Sequence, residues 1–352
     1  MATKNRIAHL DLLKCFAIFM VLMGHCIQYF ISGEYYNKVG YRIIYSFHMP
    51  LFMTLCGYFA WGSTKLTVAK FIKKNFYQLI LPAFLFVGIE TIFKNWGGYK
   101  SACLSAFWSF WFLKCAFICY CLFYIATRLN RLWPKYNIGF ILTIIISQFV
   151  GMFLIDMMYP CFVLGAIIQR NKEAISRNLL KYTMIPGIVF LTMLIFFDAS
   201  FWNYSYTFTL AIIPEELITS PDYWWIHFYK LIIGIAGTLF FFGLFELLFA
   251  KNNGGSRLMN WLSIIGQLTL GIYILQSYIL ENWLASTLNF DEINPYVFNL
   301  IYCPIISLGV LLACVIIIKA TTYIPYASRL LFNYEGRSPK LRQLKLWNVN
   351  QE

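Results

Sequence analysis

Long apolar runs recur along the whole chain, and they constrain its fold more than any other feature. Of the 352 residues, 60% are hydrophobic and 12% are charged, whereas a soluble domain has about 25% charged residues. A transmembrane helix needs about 20 mainly apolar residues, and ten runs approach that length. The sequence therefore predicts an all-α, polytopic integral membrane helical bundle with about ten transmembrane helices. The runs are 10–31, 42–61, 76–95, 106–127, 137–155, 157–169, 182–199, 225–249, 261–283 and 296–318.

The basic residues predict how this bundle is oriented. With a cytoplasmic N-terminus, four of the 28 lysines and arginines fall on the opposite side and three fall inside the runs, which leaves 21 at the cytoplasmic ends. Such an excess is the positive-inside pattern of membrane proteins. It predicts two cytoplasmic termini and explains the net charge of +13 without a nucleic-acid partner. The exceptions are Lys38, Arg42, Lys94 and Lys100 on the opposite side, and Lys14, Lys114 and Lys230 inside the runs.

The chain is predicted to form one membrane domain over residues 1–335, followed by a basic cytoplasmic tail over 336–352. We expect the tail to contact anionic membrane lipids. Since no small-residue cleavage site follows the first apolar run, that run is expected to remain as a helix. The ten cysteines lie mostly inside the runs and lack the spacing of metal ligands, so no metal site is expected.

Three ionisable residues, Asp11, Lys14 and His25, share the first apolar run. At about 100° per residue in an α-helix, the eleven steps from Lys14 to His25 return to within roughly 20° of the start. The three side chains therefore fall on one stripe, along which Lys14 and His25 are separated by roughly 16 Å. Because ionisable groups are costly inside a bilayer, they usually face the protein interior and have a function. The stripe thus predicts a functional site.

A second histidine, His48, lies in the next run at a similar predicted depth. Histidine takes up and releases protons near neutral pH, so two histidines at one depth in adjacent helices suit proton transfer. The alternative is that each histidine is only a structural hydrogen-bond donor between helices. With Asp11 and Lys14 on the same helix as His25, the pattern favours function.

Further polar residues are predicted within or between the runs. Glu90 is too deep to reach water and is expected to have a partner. Tyr273 and Gln276 are three residues apart and share one helix face. Lys230 is expected to extend its ammonium to water from near a helix end, and Asp156 is expected to begin a turn between the fifth and sixth runs.

Several of these residues lie in segments that resemble the acyltransferase-3 family of integral membrane O-acyltransferases. The family's first helix resembles Asp11-Leu-Leu-Lys-Cys-Phe-Ala-Ile-Phe-Met-Val-Leu-Met-Gly-His25. Its second helix resembles Phe47-His-Met-Pro-Leu-Phe52 together with Cys56-Gly-Tyr58. Later family signatures resemble Trp111-Phe-Leu113 and Leu270-Gly-Ile-Tyr-Ile-Leu-Gln276. The resemblance spans nearly the whole chain.

The resemblance implies a function and a set of site residues. Family members transfer an acyl group, commonly acetyl from cytoplasmic acetyl-CoA, to a hydroxyl of an envelope glycan. For this chain the resemblance implies an enzyme like the sugar O-acetylases, in the bacterial cytoplasmic (inner) membrane, acting on an envelope polysaccharide or a lipid-linked sugar. The implied catalytic residues are His25, His48 and Asp11, and the implied substrate-binding residues are Glu90, Trp111, Tyr273 and Gln276.

The predicted donor site departs from the family pattern. Lys14 stands where members usually have Arg. The paired hydrogen bonds of a guanidinium are therefore lost, while a positive charge is kept. Asn75 and Gln78 stand where many members have arginines. Coenzyme A is polyanionic, so we expect it to bind the lysines near the cytoplasmic helix ends instead. These are Lys14, Lys70, Lys73 and Lys74.

The sequence leaves the mechanism and one rival function open. His25 can act as a general base on the acceptor hydroxyl or can accept the acyl group itself. Asp11 is expected to orient Lys14 through a short-range ion pair, and Gln276, where another family branch has His, is not expected to be an acid or base. The rival is a proton-coupled transporter or flippase, with His25, His48 and Glu90 as a proton relay. A non-catalytic scaffold would leave the stripe unexplained.

Overall fold

The computed structural model describes residues 8–31, 39–94, 107–132, 137–198, 201, 212–249, 257–324 and 327–332. At Glu90, 92–94 and 329 only the backbone is described. These ranges contain helices and turns and no β-strand. The helices are α1 (Ala8–Phe30), α2 (Val39–Tyr58), α3 (Val68–Asn75), α4 (Leu81–Lys94), α5 (Trp111–Leu132), α6 (Ile138–Ser147), α7 (Ile155–Arg170), α8 (Lys172–Arg177), α9 (Leu179–Ile195), α10 (Glu215–Ile218), α11 (Pro221–Phe249), α12 (Arg257–Gln267), α13 (Thr269–Ser277), α14 (Pro295–Val297), α15 (Cys303–Thr321) and α16 (Ala327–Phe332).

Several α-helices are extended by short 3₁₀ or π segments. The 3₁₀ turns Ala60–Lys65 and Met152–Leu154 follow α2 and precede α7. Wider π turns join α3 to α4 at Phe76–Ile80, prolong α13 over Tyr278–Leu284, and join α14 to α15 at Phe298–Tyr302.

Six helical segments of the described chain are long and apolar enough to cross a membrane. A seventh is added if α12 and α13, which meet at a bend of 66°, count as one broken span. The prediction of an all-α membrane protein is therefore confirmed. The six segments are Ala8–Phe30, Val39–Lys65, Trp111–Leu132, Met152–Arg170, Pro221–Phe249 and Pro295–Thr321.

Within the described ranges, the predicted number of about ten membrane-length helices is not reached. The runs 137–155 and 182–199 correspond to the shorter apolar helices α6 and α9. The run 137–155 is interrupted because the chain leaves the helix after Ser147 and re-enters at Ile155. The turn predicted at Asp156–Pro160 is wrong, since both residues lie inside α7 and the break precedes them. The predicted tail, 336–352, lies outside the described residues.

Helix α2 lies at the centre of the packing, against α1, α7 and α11. Two glycines allow α2 and α7 to approach closely. A Cβ atom on Gly57 would lie 1.8 Å from the backbone oxygen of Phe162, and one on Gly165 would lie 1.9 Å from that of Thr54. Small residues at such positions let membrane helices pack backbone to backbone. The Thr54 hydroxyl also donates to the Cys161 carbonyl at 3.0 Å, which fixes the register of the two helices.

The contact at Gly57 gives a stability prediction. Gly57→Ala should destabilise the protein by about 1–3 kcal/mol, because a backbone carbonyl cannot move aside as a flexible side chain can. The matched control is Gly309→Ala on α15, where nothing lies within 4 Å of the added Cβ, and where alanine should favour the helix. Thermal unfolding in detergent should show a lower midpoint for Gly57→Ala only. An unchanged midpoint for Gly57→Ala would show that the helices are not in this contact.

The broken span formed by α12 and α13 packs along α1. A Cβ atom on Gly266, in the last turn of α12, would lie 1.9 Å from the Asp11 carbonyl oxygen. Beyond the bend, Gln276 on α13 contacts His25. The two halves of the span therefore contact the two ends of the ionisable stripe on α1.

Candidate active site

His25 lies in the last part of α1, half-buried, with its ring against Gln276. The His25 Nδ1 and Gln276 Oε1 atoms are 2.9 Å apart. The Gln276 amide nitrogen is engaged elsewhere, since it donates to the Tyr273 carbonyl at 3.3 Å. The Tyr29 ring stands edge-on to the imidazole, with 5.7 Å between ring centres.

This arrangement selects one tautomer of His25. With the amide nitrogen committed to Tyr273, Gln276 presents its oxygen to the imidazole, so Nδ1 carries the proton and donates it. The other ring nitrogen, Nε2, then holds the lone pair. A neutral imidazole oriented through Nδ1 is the form that accepts a proton or attacks an electrophile at Nε2. Gln276 orients the ring without adding charge, because an amide is neither an acid nor a base at neutral pH.

His48 lies at the level of His25 on the neighbouring helix. A Cβ on Gly24, the residue before His25, would lie 2.8 Å from the Tyr45 ring, and that ring stands 4.6 Å from the His48 ring. His48 is 2% exposed, and its Nδ1 lies 2.8 Å from the Ile44 carbonyl oxygen. Because a carbonyl only accepts, Nδ1 of His48 also carries the proton. Both histidines thus keep their Nε2 atoms as the basic nitrogens.

The other end of the stripe holds the predicted ion pair. Lys14 Nζ lies 3.0 Å from Asp11 Oδ1 and 4.5 Å from the centre of the Phe59 ring. The second Asp11 oxygen accepts from the Ser263 hydroxyl at 3.5 Å. Lys14 is only partly buried, so its ammonium can still meet a ligand. Since α1 is continuous, the separation of roughly 16 Å between Lys14 and His25 along the axis holds.

Apolar side chains fill the stripe between its two polar ends. Ile18 and Leu22 are fully buried, and Val21 is nearly so. In this conformation aliphatic side chains therefore separate the Lys14 end of the stripe from the His25 end.

The other predicted donor lysines lie on α3, close to the Lys14 end. The Lys74 ammonium donates to the Ser63 hydroxyl at 3.2 Å, four residues after Phe59. Lys70 and Lys73 are exposed on the same helix. The structure thus brings the four cations to one end of the bundle. Asn75 is buried, and its amide donates to the Phe71 carbonyl, so it faces the protein interior.

Two predicted substrate-binding aromatics lie beside Gln276. The Tyr273 ring lies 5.9 Å from the Phe112 ring, and its hydroxyl bonds to the Phe112 backbone. Trp111, half-buried at the start of α5, is the residue immediately before Phe112. These contacts place Trp111, Tyr273 and Gln276 on neighbouring parts of two helices. Glu90 lies on α4, but its side chain is outside the described residues.

Sequence reasoning missed a second set of buried polar residues. Lys230 was expected to extend to water from a helix end, yet it is 6% exposed, and Asp156 is 1% exposed. Both line one cavity with His227. The spacing of His227 and Lys230, three residues apart on one helix face, was the available signal. Within the described ranges, no group of three or more His, Cys, Asp and Glu side chains is arranged to hold a metal ion.

The fold and this geometry define a class of protein. It is a multi-pass membrane protein in which a histidine, with its lone pair on Nε2, lies roughly 16 Å along one helix from a lysine cluster. A family model described as an acyltransferase domain matches residues 7–319. The chain therefore belongs to the acyltransferase-3 family, and it is a membrane acyltransferase.

Two curated relatives are bacterial proteins, each named nodulation protein NolL. The protein from Mesorhizobium japonicum is 22% identical over 371 residues, which cover 99% of this chain and 95% of the relative. The protein from Sinorhizobium fredii is 24% identical over 194 residues, covering 51% of this chain and 53% of the relative. No solved structure matches the chain.

Proposed function

We propose that the protein is an O-acyltransferase that moves an acetyl group from cytoplasmic acetyl-CoA to a hydroxyl of a cell-envelope sugar or polysaccharide. The observation that supports this best is the bond from His25 Nδ1 to Gln276 Oε1, because it leaves the lone pair on Nε2 of the half-buried imidazole, where it can activate a hydroxyl. The family assignment favours this function over a proton-coupled transporter. The bacterial relatives favour the bacterial cytoplasmic (inner) membrane as its location.

The chemistry follows from the lone pair on Nε2 of His25. A sugar hydroxyl is a weak nucleophile at neutral pH, so a positioned base is needed to take its proton. In the proposed step the hydroxyl oxygen attacks the acyl carbon, the carbon–sulfur bond breaks, and the hydroxyl proton passes to Nε2. The thiolate of coenzyme A then takes up that proton, so the products are an ester and a thiol. In the alternative route Nε2 itself accepts the acyl group before the hydroxyl does.

The donor end follows from charge. Coenzyme A carries several phosphate charges, and Lys14, Lys70, Lys73 and Lys74 present four ammonium groups at one end of the bundle. Phosphates held there would leave the thin pantetheine arm to pass along the stripe past Ile18 and Leu22. Because those side chains are fully buried, donor binding must move neighbouring helices apart by a small amount.

The proposed orientation has both termini in the cytoplasm and about ten spans, with α6, α9 and the α4 region crossing as shorter helices. The asymmetry of basic residues supports this orientation. It places the lysine cluster at the cytoplasmic surface and His25 toward the opposite surface. The donor and the acceptor would then approach the site from different sides of the membrane.

The direct test uses the purified protein in lipid nanodiscs with labelled acetyl-CoA and a preparation of envelope polysaccharide or lipid-linked sugar. We expect free coenzyme A thiol and an alkali-labile acetyl ester to appear together, and only when acceptor is present. A transporter would consume no acetyl-CoA under these conditions. Thiol release that is absent with every acceptor preparation would contradict the proposed function.

Gln276 gives a prediction about positioning. Gln276→Leu should lower kcat on the order of 10-fold to 100-fold, part of the roughly 10²–10⁴-fold that a general base contributes, while KM for acetyl-CoA stays the same. The reason is that His25 loses the acceptor that selects its tautomer. Nitrogen NMR of labelled histidine should show mixed tautomers in this variant.

The control for that experiment is Gln267→Leu. Gln267 lies on the same broken span but bonds to the Ser263 carbonyl instead of to histidine. It should retain kcat and a single His25 tautomer. A Gln276→Leu variant with wild-type kcat and one tautomer would remove Gln276 from the mechanism.

A further inference from the structure

Asp156, Tyr223, His227 and Lys230 form a second polar site, which we call the α7–α11 cluster. Each of these residues is at least 94% buried, and all four line one cavity. Asp156 lies in the first turn of α7, and the other three follow one another along the first three turns of α11. Ionisable groups are rarely buried in a membrane bundle without a function, and the acyl-transfer chemistry at His25 does not use these.

The cluster is held in a fixed geometry by the protein itself. His227 Nδ1 lies 3.6 Å from Asp156 Oδ2, and its Nε2 lies 2.9 Å from Gln148 Oε1. The Gln148 amide nitrogen donates to the Asp156 carbonyl at 2.9 Å, so the amide oxygen is the atom that faces the imidazole. The other carboxylate oxygen of Asp156 accepts from the Met157 backbone N–H at 3.0 Å. Such preorganisation is typical of a binding site.

One polar atom of the cluster, the Tyr223 hydroxyl, lacks a hydrogen-bond partner among the described residues. It cannot bond to bulk water instead, because the side chain is only 3% exposed. A buried hydroxyl without a partner is costly, so such a group in a native protein points to a missing partner. Because Tyr223 lines the same cavity as the charged residues, the cavity is where that partner would lie.

The charges around the cavity select the kind of partner. An anionic group would meet the Asp156 carboxylate, and a cationic group would meet the Lys230 ammonium. A neutral hydroxyl can donate to Asp156 and accept from Tyr223 or Lys230 at once. The cavity is small, with about 10 Å³ of water-sized space, which is about the room that one water molecule or one hydroxyl group needs. It therefore admits a single hydroxyl group of a larger ligand.

The cluster also lies at the depth of the proposed active site. Thr54 on α2 bonds to Cys161 on α7, so these two residues lie at the same depth. Six residues earlier on each helix, His48 lies at the depth of Ile155, which is next to Asp156. On α11, a Cβ atom of Gly234 would lie 2.8 Å from Pro50 of α2, one turn beyond Lys230. A ligand that reaches the cluster is thus at the level of His48 and His25.

From these observations we infer that the α7–α11 cluster binds a hydroxyl-bearing group of an uncharged carbohydrate and serves as an acceptor subsite. The inference rests on the proposed function for the identity of the ligand as the acceptor. Tyr223 donates or accepts the bond that it otherwise lacks, Asp156 accepts from the sugar hydroxyl, and the Gln148 amide and the Met157 backbone N–H hold Asp156 in place.

The test is sugar binding by the full chain in lipid nanodiscs, read out as the thermal unfolding midpoint. The probes are the methyl glycosides of glucose, galactose and mannose, with glucuronate and glucosamine as charged counterparts of the same ring. We expect at least one neutral glycoside to raise the midpoint in a saturable way, and the charged sugars to have little effect. Tyr223→Phe should abolish that shift. Without sugar it should unfold at the same or a higher temperature, because the unpaired hydroxyl is gone.

The matched control is Tyr159→Phe on α7. Its hydroxyl is buried but paired with the Thr143 hydroxyl at 2.8 Å, so its removal should lower the midpoint and leave the sugar-induced shift unchanged. A wild-type protein that responds to no neutral glycoside, one that responds only to a charged sugar, or a Tyr223→Phe variant that keeps the full shift would each overturn the inference.

This experiment also separates the inference from the function on which it rests. A protein that transfers acetyl groups to sugars but fails the binding test would refute the acceptor subsite alone. A protein that binds glycosides through Tyr223 but never consumes acetyl-CoA would refute the proposed acetyl transfer and leave the carbohydrate site in place.

Discussion

His25→Ala is expected to reduce acyl transfer by roughly 10²–10⁴-fold, while the protein stays folded and inserted. General-base catalysis contributes roughly that much, and the His25 imidazole is the group that Gln276 holds in position. The change leaves the oxygen of the buried Gln276 without this partner, which should cost about 1–3 kcal/mol of stability. Acetyl ester formation and the thermal unfolding midpoint, measured on the same sample, check both parts of this prediction.

Two other histidines serve as controls for that variant. His9→Ala removes the second histidine of α1, in its first turn, and should retain transfer. His48→Ala should weaken transfer less than His25→Ala, because His48 is bonded to its own helix through Ile44. If His25→Ala transfers acetyl groups at the wild-type rate, His25 has no part in the mechanism.

Lys14→Ala is expected to raise the acetyl-CoA concentration needed for half-maximal rate on the order of 10-fold to 100-fold, with a smaller effect on the acceptor. A hydrogen bond to a charged group contributes about 1.5–3 kcal/mol, and each 1.4 kcal/mol is about tenfold in affinity. Lys14→Arg should restore much of the function because it keeps the charge. Direct measurement of coenzyme A binding by calorimetry in detergent tests the prediction without turnover.

The ion pair with Asp11 offers a second explanation that the same experiment separates. If Lys14 only neutralises the buried Asp11 carboxylate, then the double variant Asp11→Asn with Lys14→Gln should behave nearly like the wild type. If Lys14 binds a phosphate, the double variant should be as weak in donor binding as Lys14→Ala. Undiminished coenzyme A binding by Lys14→Ala would move the phosphate site to the exposed lysines of α3.

The sequence predicted the helical class and the stripe on α1 because both depend on local periodicity. Apolar runs show where helices form, and a spacing of three and eleven residues shows which side chains share a face. The ion pair of Asp11 with Lys14 lies within one turn of a helix, so the spacing of these residues was enough to predict it as well.

Contacts between residues far apart in the sequence were harder to predict. His25 and Gln276 are 251 residues apart, and the resemblance to a family placed them both in signatures without showing that they bond. The bend between α12 and α13 brings Gln276 to His25, and no periodicity encodes it. Asp156 looked like a turn residue because Pro160 follows it, yet proline is tolerated inside membrane helices whose neighbours satisfy the freed backbone groups.

The described residues contain fewer membrane-length helices than the sequence predicts, for a related reason. Hydropathy measures the composition of a run but not where its helix stops. The run 137–155 is broken before α7, where Phe153 and Leu154 adopt φ angles of 56° and 57°. These left-handed values are costly for residues other than glycine, so tertiary packing imposes them, and composition does not reveal them.

In the proposed reaction an acetyl group passes from a donor at the lysine end of the bundle to an acceptor at the His25 end. Sealed proteoliposomes can test this transfer, with labelled acetyl-CoA outside and the sugar acceptor either enclosed or outside. We expect acetylated sugar inside the vesicles when the acceptor is enclosed, none when both substrates are outside, and none with His25→Ala. Acetylated sugar that forms only when donor and acceptor share the outer solution would refute a transfer across the membrane.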